Sequence, residues 1–434
     1  MLQKSIIMPI ILLISFFQNG YTEEWYRGNV HMHSYWSDGA AFPEEAVQLY
    51  RDNGYQFVCL SDHNVFQNNS DRWATVGKKK MKLELVNRFS HRFPGFFIDR
   101  KVTENNDQIR LKTWDEIAET LCVPGEFLMI PGYEHTTRSQ ATEDKHEVHL
   151  NVVGTRQIVP VISAATAKET VQQNVNALES MLVKSHENDN AFIMLNHPNW
   201  RYFDITPEDV IQESRIQFFE LSNASSTWTP HEKSCNNEKL WDVVNTYRIA
   251  HEEPVLWGVG TDDTHNYDHG YAYPSHFGAA WVMVRAAELS QNAIIQAMKR
   301  GDFYTSTGIT LDELDWNSKT RMLQIRIHPE LEEHYTIEFI GTREGTPITG
   351  NSIEDPATED GKPARIFTEY SPAIGEVLLR IEGTEATCEL PENYLYIRAK
   401  ITSDTAPNWR TRGKPEQKTA WTQPYTHRPC DLRD

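Results

Sequence analysis

Strand-like apolar runs in this chain end, one after another, in histidine, carboxylate or carboxamide. "YRGNVHMH" closes on His31 and His33, "YQFVCLSDHN" on Asp62 and His63, and "FLMIPGYEH" on Glu134. "HEVHLNVVG" carries His149, "AFIMLNHPN" closes on Asn196 and His197, and "VLWGVGTDD" runs into Asp262, Asp263 and His265. Two more apolar runs, "IQFFELSNAS" and "FGAAWVMVRA", complete the series. Helical runs lie between many of them, for example at residues 163–188 and 238–250. "FPEEAVQLYRDNG" has Pro43 in its first turn, Glu44 and Glu45 at the positive end of the helix dipole, and Gly54 as its stop. Apolar strands alternating with helices imply buried parallel strands. Chemistry-bearing groups at so many strand ends must share one rim. A βα barrel, whose active-site face collects the carboxyl ends of its strands, is the economical architecture. An open doubly wound sheet is the alternative, but it gathers fewer strand ends around one point.

A chain of 434 residues is long enough for a large domain and a smaller one. Residues 23–310 read as the α/β domain. Residues 71–113 interrupt it with a charged, irregular stretch, an insertion that serves either as a lid over the barrel mouth or as solvated decoration. After "GDFYTSTGITLDELDW" the text changes to short alternating runs such as "RMLQIRIHP", "HYTIEFIGT" and "NYLYIRAKIT". Residues 311–434 therefore read as an all-β, sandwich-like domain. Its aromatics Tyr394, Tyr396, Trp409 and Trp421 are expected in the core, with a contact surface as the other option. Residues 1–22 have the shape of a secretory signal, with Lys4 ahead of an apolar run at 6–17 that is shorter than the ~20 residues of a comfortable span. Export to a periplasmic or extracellular space is expected, with no membrane span after removal of the signal. A retained anchor is the alternative.

The net charge of −19 leaves no basic surplus to neutralise a nucleic-acid backbone. The local run "GKKKMK" at 77–82 is expected on a solvated helix face. Five dispersed cysteines (59, 122, 235, 388 and 430) show no Cys-x-x-Cys spacing, which excludes a zinc ribbon or a redox motif and leaves any pairing undefined. No nucleophile elbow, phosphate-binding loop or dinucleotide fingerprint is present.

His31 and His33 are two apart on a strand, so both face the same side. Asp263 and His265 repeat that spacing at another strand end. Histidine and carboxylate together suit Zn, Mn or Fe. The ordered segments "HMHSYWSDG", "LSDHN", "PGYEH", "HLNVVG", "NHPNW" and "GVGTDDTH" resemble the motifs of the PHP (polymerase and histidinol phosphatase) superfamily, in order as well as content. "GDFYTSTG" and the β-rich tail resemble its exported, carbaryl-hydrolase-like branch. The resemblance implies a distorted seven-stranded βα barrel holding two or three divalent metal ions. Carried over motif by motif, His31, His33, Glu134 and Asp263 hold one ion. Glu134 bridges to a second held by His149 and His197, and Asp38, His63 and His265 hold a third. Asp262 is the competing ligand to Asp263 in "TDDTH", though the Asp-x-His spacing favours Asp263.

Around the metals, Asp62 is expected to orient a ligand histidine, and Asp262 to support the site from behind Asp263. Arg201 and Arg138 are candidates for an anionic substrate group, and His269 and His276 for the mouth. His135 and His146 are rim or surface groups, and Asn151 and Asn223 donate inward. The complete ligand set without a triad points to metal-assisted hydrolysis, with a phosphomonoester or phosphodiester first. Carboxylic esters, carbamates or amides come second. An exported, non-catalytic metal- or glycan-binding protein is the reading from another class. The partner in the first two cases is a small-molecule or glycan-linked ester.

Overall fold

The computed structural model describes residues 23–428, apart from 79, 94–97, 105, 141–144, 201–203, 224–234, 268–276, 356–364 and 408–416. The signal segment, Arg201, His269, His276, Trp409 and Cys430 lie outside the described residues.

The α/β part runs β1 (Glu24–Asn29), α1 (Pro43–Asp52), β2 (Phe57–Cys59), then an insertion of β3 (Trp73–Thr75), α2 (Leu83–Arg92), β4 (Arg100–Thr103) and β5 (Asn106–Arg110). It resumes with α3 (Trp114–Leu121), β6 (Leu128–Ile130), β7 (Gly132–Arg138), β8 (Glu147–Val153), α4 (Ala167–Lys184), β9 (Phe192–Leu195) and α5 (Pro207–Val210). It ends with β10 (Phe218–Asn223), α6 (Asn237–Ala250), β11 (Trp257–Thr261), β12 (Trp281–Ala286), α7 (Gln291–Arg300) and β13 (Phe303–Ser306). The β-rich part follows as β14 (Leu311–Asn317), β15 (Met322–Ile327), β16 (Tyr335–Arg343), β17 (Gly350–Asp355), β18 (Arg365–Tyr370), β19 (Glu376–Glu382), β20 (Glu385–Glu389), β21 (Tyr394–Ser403) and β22 (Thr419–Thr422).

Two sheets frame the site. One has the order β19-β16-β21-β22-β13-β12-β1-β2-β6 and the other β11-β10-β9-β8-β7. The expected parallel pairing holds for β1–β2–β6 and for β9–β10–β11. It fails at β8, antiparallel to both β7 and β9, and at β1–β12–β13. The connection from Arg138 to Glu147 is too short for a crossover, which needs a dozen or more residues, so β7 and β8 can pair only antiparallel. The sheets meet where their strands end. Isolated bridges join Met32 to Thr264 and His63 to Glu134, and Asn151 Nδ2 donates to Val30 O at 2.8 Å.

The β-rich part packs a three-stranded sheet, β14-β15-β20, onto the far half of the long sheet. Leu314, Leu323, Ile325, Ile337, Phe339, Ile397 and Ile401 form the layer between them. The protein is thus a mixed α/β, two-domain molecule whose long sheet continues from one part into the other through the β13–β22 pair. A buried lock reinforces that junction: Arg398 on β21 donates to both carboxylate oxygens of Asp242 on α6, at 2.8 and 2.6 Å, and Tyr396 OH adds a third bond at 2.7 Å. Tyr394, Tyr396 and Trp421 are buried, as expected of core aromatics.

The described residues of the insertion form elements of their own. Its strands form the sheet β3-β5-β4, and α2 packs Val86 and Phe89 against Tyr35, Trp36 and Phe42 from the segment after β1. Glu44 and Glu45 are buried and face Lys112 and Arg88 at 3.7 and 3.6 Å, so they tie α1 to the insertion as well as meeting the helix dipole. Lys78 and Lys80 lie in a turn and Lys82 is the N-cap of α2, so they do not share a helix face, and Met81 between Lys80 and Lys82 is buried in this cluster.

Candidate metal centre

His31 and His33 leave the end of β1 on the same side, and their Nε2 atoms stand 3.1 Å apart. Two imidazole nitrogens that close must share a proton or a cation. Asp263 Oδ1 lies 3.3 Å from His31 Nε2 and 3.1 Å from His33 Nε2. Glu134 adds its oxygens at 3.4 and 3.6 Å from the same two nitrogens. Glu134 also reaches His149 Nδ1 at 3.0 Å, His197 Nε2 at 3.6 Å and His63 Nδ1 at 2.5 Å. Asp38 Oδ1 completes the other end, 3.1 Å from His265 Nε2, 3.5 Å from His63 Nε2 and 3.9 Å from His33 Nδ1. All nine predicted ligand positions therefore converge, although they are spread from residue 31 to residue 265.

The donors fall into three overlapping groups: His31, His33 and Asp263; His63, Glu134 and His149; and His33, Asp38, His63 and His265. The second group differs from the set implied by the motifs, because His63 stands with Glu134 and His149 while His197 Nε2 approaches the group at Glu134 Oε1, 3.6 Å away. Donor atoms bound at about 2.1 Å around one ion lie roughly 3.0–3.4 Å apart; the spacings here bracket that range, from 2.5 Å between His63 and Glu134 to 3.9 Å between His33 and Asp38. The charges agree. Burial alone would lower the His31 imidazole, yet Glu220, Asp263 and Glu134 raise it well above its ordinary value. Burial likewise opposes protonation of His149, but Glu134 and Glu147 lift it to about 9. Against burial, the surrounding histidines hold Glu134 and Asp263 well below the carboxylate range. Burial, His265 and His63 push His33 down to about 3. The carboxylates thus call positive charge into the centre, and divalent cations fit that demand and the donor set.

Backbone strain coincides with the ligands. Asp263 (φ 49°), His197 (φ 23°) and Asn64 beside His63 (φ 53°) all sit in the left-handed region, which costs of order 1 kcal/mol or more for such residues. The Ser-Asp-Gly turn has a steric reason: a Cβ on Gly39 would stand 2.4 Å from the His33 carbonyl, so only glycine lets Asp38 turn back beside His33.

The supporting residues divide differently from expectation. Among the described residues Asp62 makes no direct hydrogen bond to a histidine, and reaches His33 Nδ1 only through Ser37 Oγ, 3.4 Å from that nitrogen. Its oxygens accept from Ser34 N (2.8 Å), Ser34 Oγ (2.8 Å), Ser37 N (3.1 Å), Ser37 Oγ (2.6 Å) and Gln67 Nε2 (3.0 Å), so it holds the turn that carries Asp38. Asp262 faces away from the cluster and accepts from Gly278 N, Ala279 N, Ala280 N and Tyr50 OH, leaving Asp263 as the inward carboxylate. His135 is fully buried against α4 with Nε2 2.6 Å from Asn174 Oδ1, and is neither rim nor surface. His146 Nδ1 meets Asp204 O at 2.8 Å, outside the cluster. Arg138 is exposed at the far end of β7, about 13 Å along the strand from Glu134. Asn151 donates to Val30 O and Asn223 to Glu220 Oε2, so both brace the framework.

Glu220 was not singled out from the sequence, and it is the main support of the site. Fully buried at a register shift in β10, it takes His31 Nδ1 on Oε1 at 2.5 Å together with Thr261 Oγ1, and His197 N on Oε2 at 2.7 Å together with Asn223 Nδ2. This fixes the His31 tautomer and presents Nε2 inward. The signal was available: a lone carboxylate inside "FFELS" is costly to bury without such partners. Trp200 is the second omission. Its ring packs 5.5 Å from His149 and 5.2 Å from His197, walling one side of the centre.

The architecture and the cluster together define a two-domain α/β protein with buried His/Asp/Glu groups able to bind metal. No protein-family model matches the chain, and no curated protein matches it. Among solved structures, it is similar to a two-domain protein from Bacteroides vulgatus described as containing a predicted PHP-like metal-dependent phosphoesterase, with 14% identity and a TM-score of 0.39 over 93% of this chain and 96% of that one. It is also similar to a protein from Bifidobacterium adolescentis described as a candidate metal-dependent phosphoesterase, with 12% identity and a TM-score of 0.31 over 57% of this chain and 91% of that one. At these TM-scores neither likeness carries weight, and the functional reading rests on the side chains.

Proposed function

We propose that the protein is an exported, metal-dependent hydrolase of the PHP type, with phosphoric esters as its preferred substrates. On this reading the two sheets correspond to the split wall of a distorted barrel. The observation that carries it is the closure of nine ligand-type side chains at donor–donor distances of 2.5–3.9 Å, with no serine or cysteine nucleophile among them. His31, His33, Glu134 and Asp263 would hold one divalent ion, Glu134 with His149 and His197 a second, and Asp38, His63 and His265 a third. Divalent ions bound there supply Lewis-acid polarisation of an ester oxygen and acidify water near neutral pH. The chain contributes the rest. Glu220 keeps His31 Nε2 facing inward, and Asp62 holds the Asp38 turn at the open end. Trp200 covers His149 and His197.

Export rests on the N-terminal sequence. Tyr394, Tyr396 and Trp421 are buried, so these three rings serve the core of the β-rich part.

The test is a panel of chromogenic phosphate monoesters and diesters against carboxylic esters and carbamates, run with metal analysis on wild type, His33→Ala and Glu134→Ala. Metal content and turnover should fall together in both variants. An active variant stripped of metal would refute the reading, and turnover confined to neutral esters would replace its substrate class.

A further inference from the structure

The lysine run of the insertion is not absorbed by the metal centre, yet the fold brings it there. The turn at 77–82 closes through Gly77 N donating to Met81 O at 2.7 Å and Met81 N donating to Lys78 O at 3.2 Å. Met81 is 2% exposed and packs with Tyr35, Trp36 and Phe42, the residues that flank the Asp38 turn. Arg72 Nη2 donates to Trp36 O at 3.2 Å, and Trp36 Nε1 donates to Lys112 O at 2.8 Å, which binds the base of the insertion to the same segment. The turn is thus docked beside the ligands.

The cluster opens on that side. The side chains of His31, His33 and Glu134 are 0% exposed, whereas His265 is 16%, His63 25% and Asp38 50% exposed. Among the nine side chains, Asp38 and His63 are the most exposed, so the Asp38 end is the open side of the cluster. Lys80 is half-buried there, within electrostatic reach of Asp38, Asp263 and His265. Among the described residues, no hydrogen bond or ion pair within 4 Å takes its ammonium. Burial draws that ammonium below the ordinary lysine value, while Asp38 and Asp263 favour its charge. A flexible cation placed beside a ring of anionic ligands, in a chain of net charge −19, has two uses. It can neutralise the ligands, or it can greet an anion that the rest of the surface repels.

We propose that Lys80 is a substrate-binding residue that contacts an anionic oxygen of the ester at the mouth of the centre, so that the insertion sets a preference for anionic over neutral esters. This deepens the hydrolase reading and rests on it. With divalent ions bound, the carboxylates of the centre would be neutralised by the metal charge, and the lysine would be left for the incoming group.

The test compares metal-loaded wild type, Lys80→Met and Lys80→Arg. Inorganic phosphate binding is measured by calorimetry, and kcat and KM are measured on a chromogenic phosphodiester and a neutral acetate ester. Lys80→Met should keep the wild-type metal content, weaken phosphate binding roughly 10- to 100-fold, and lower the ratio of kcat/KM for the anionic to the neutral ester through KM. Lys80→Arg should recover most of the phosphate affinity. Unchanged phosphate affinity in Lys80→Met would overturn the proposal, and so would a loss of metal from that variant, which would make Lys80 a structural counter-ion. Failure of wild type to hydrolyse any ester would refute the hydrolase reading separately, since the phosphate titration still reports on Lys80.

Discussion

Glu220→Gln is the sharpest single perturbation of the site, because it changes one oxygen for one NH2 and almost no volume. Oε2 of Glu220 receives His197 N, a backbone donor that cannot reverse, so the glutamine carbonyl must stay on that side. The amide NH2 then faces His31 Nδ1 and Thr261 Oγ1, both within 2.5 Å of Oε1 in the parent. Threonine can rotate its hydroxyl to accept. His31 can accept only by moving its proton to Nε2, the atom that looks at His33, Asp263 and Glu134. The substitution therefore turns a ligand lone pair into a donor. Loss of such an outer carboxylate costs about 10- to 100-fold in metal affinity. The lost charge-assisted bond removes about 1.5–3 kcal/mol from the stability of the metal-free fold. Competitive metal titration gives the first number and urea unfolding in chelator the second. 15N shifts of His31 identify the tautomer. Wild-type metal affinity in Glu220→Gln, with the proton still on Nδ1, would refute the reasoning.

Two further predictions concern the scaffold. Arg398→Met strands Asp242 inside the junction between α6 and β21, and should cost about 3–5 kcal/mol by urea unfolding. The double variant Asp242→Leu/Arg398→Met should recover much of that loss, and no recovery would argue against an uncompensated charge as the cause. Glu44 provides a pH test: burial lifts its carboxyl to about 7 from an ordinary 4.5, with Lys112 offsetting part. The folded state then binds more protons than the unfolded state between those values, so this group's cost is absent below pH 4.5, grows as pH rises, and levels off above 7. Glu44→Gln should therefore stabilise the protein at pH 8 relative to pH 4.5 by up to about 3 kcal/mol in parallel melts, and a pH-independent difference would contradict the assignment.

The converging positions were legible because strand periodicity and strand-end polarity are local signals. His31 and His33 had to face one way, and Asp263 with His265 repeated the pattern. What those residues lean on was not legible. Glu220 lies nearly two hundred positions from His31, and only the pairing of β10 with β9 and β11 brings it beneath that ring. Asp62 looked like the natural orienter of its neighbour His63, but adjacent residues on an extended strand point to opposite sides, and its carboxylate went to Ser34 and Ser37. Strand direction was misjudged at β8 because an apolar run reads alike in either orientation. Lys80 looked like one charge in a solvated run, because burial of Met81 beside Trp36 is a tertiary fact.

The central claim is that the nine converging side chains hold metal. The most direct measurement is metal content per chain by mass spectrometry on protein purified without chelator, before and after dialysis against one, with Glu134→Ala alongside. The account predicts two or three equivalents of divalent metal in the parent, reversible loss on chelation, and a deficit in Glu134→Ala that added metal does not repair. A folded parent chain that carries no divalent metal and takes none up at micromolar concentration would contradict it.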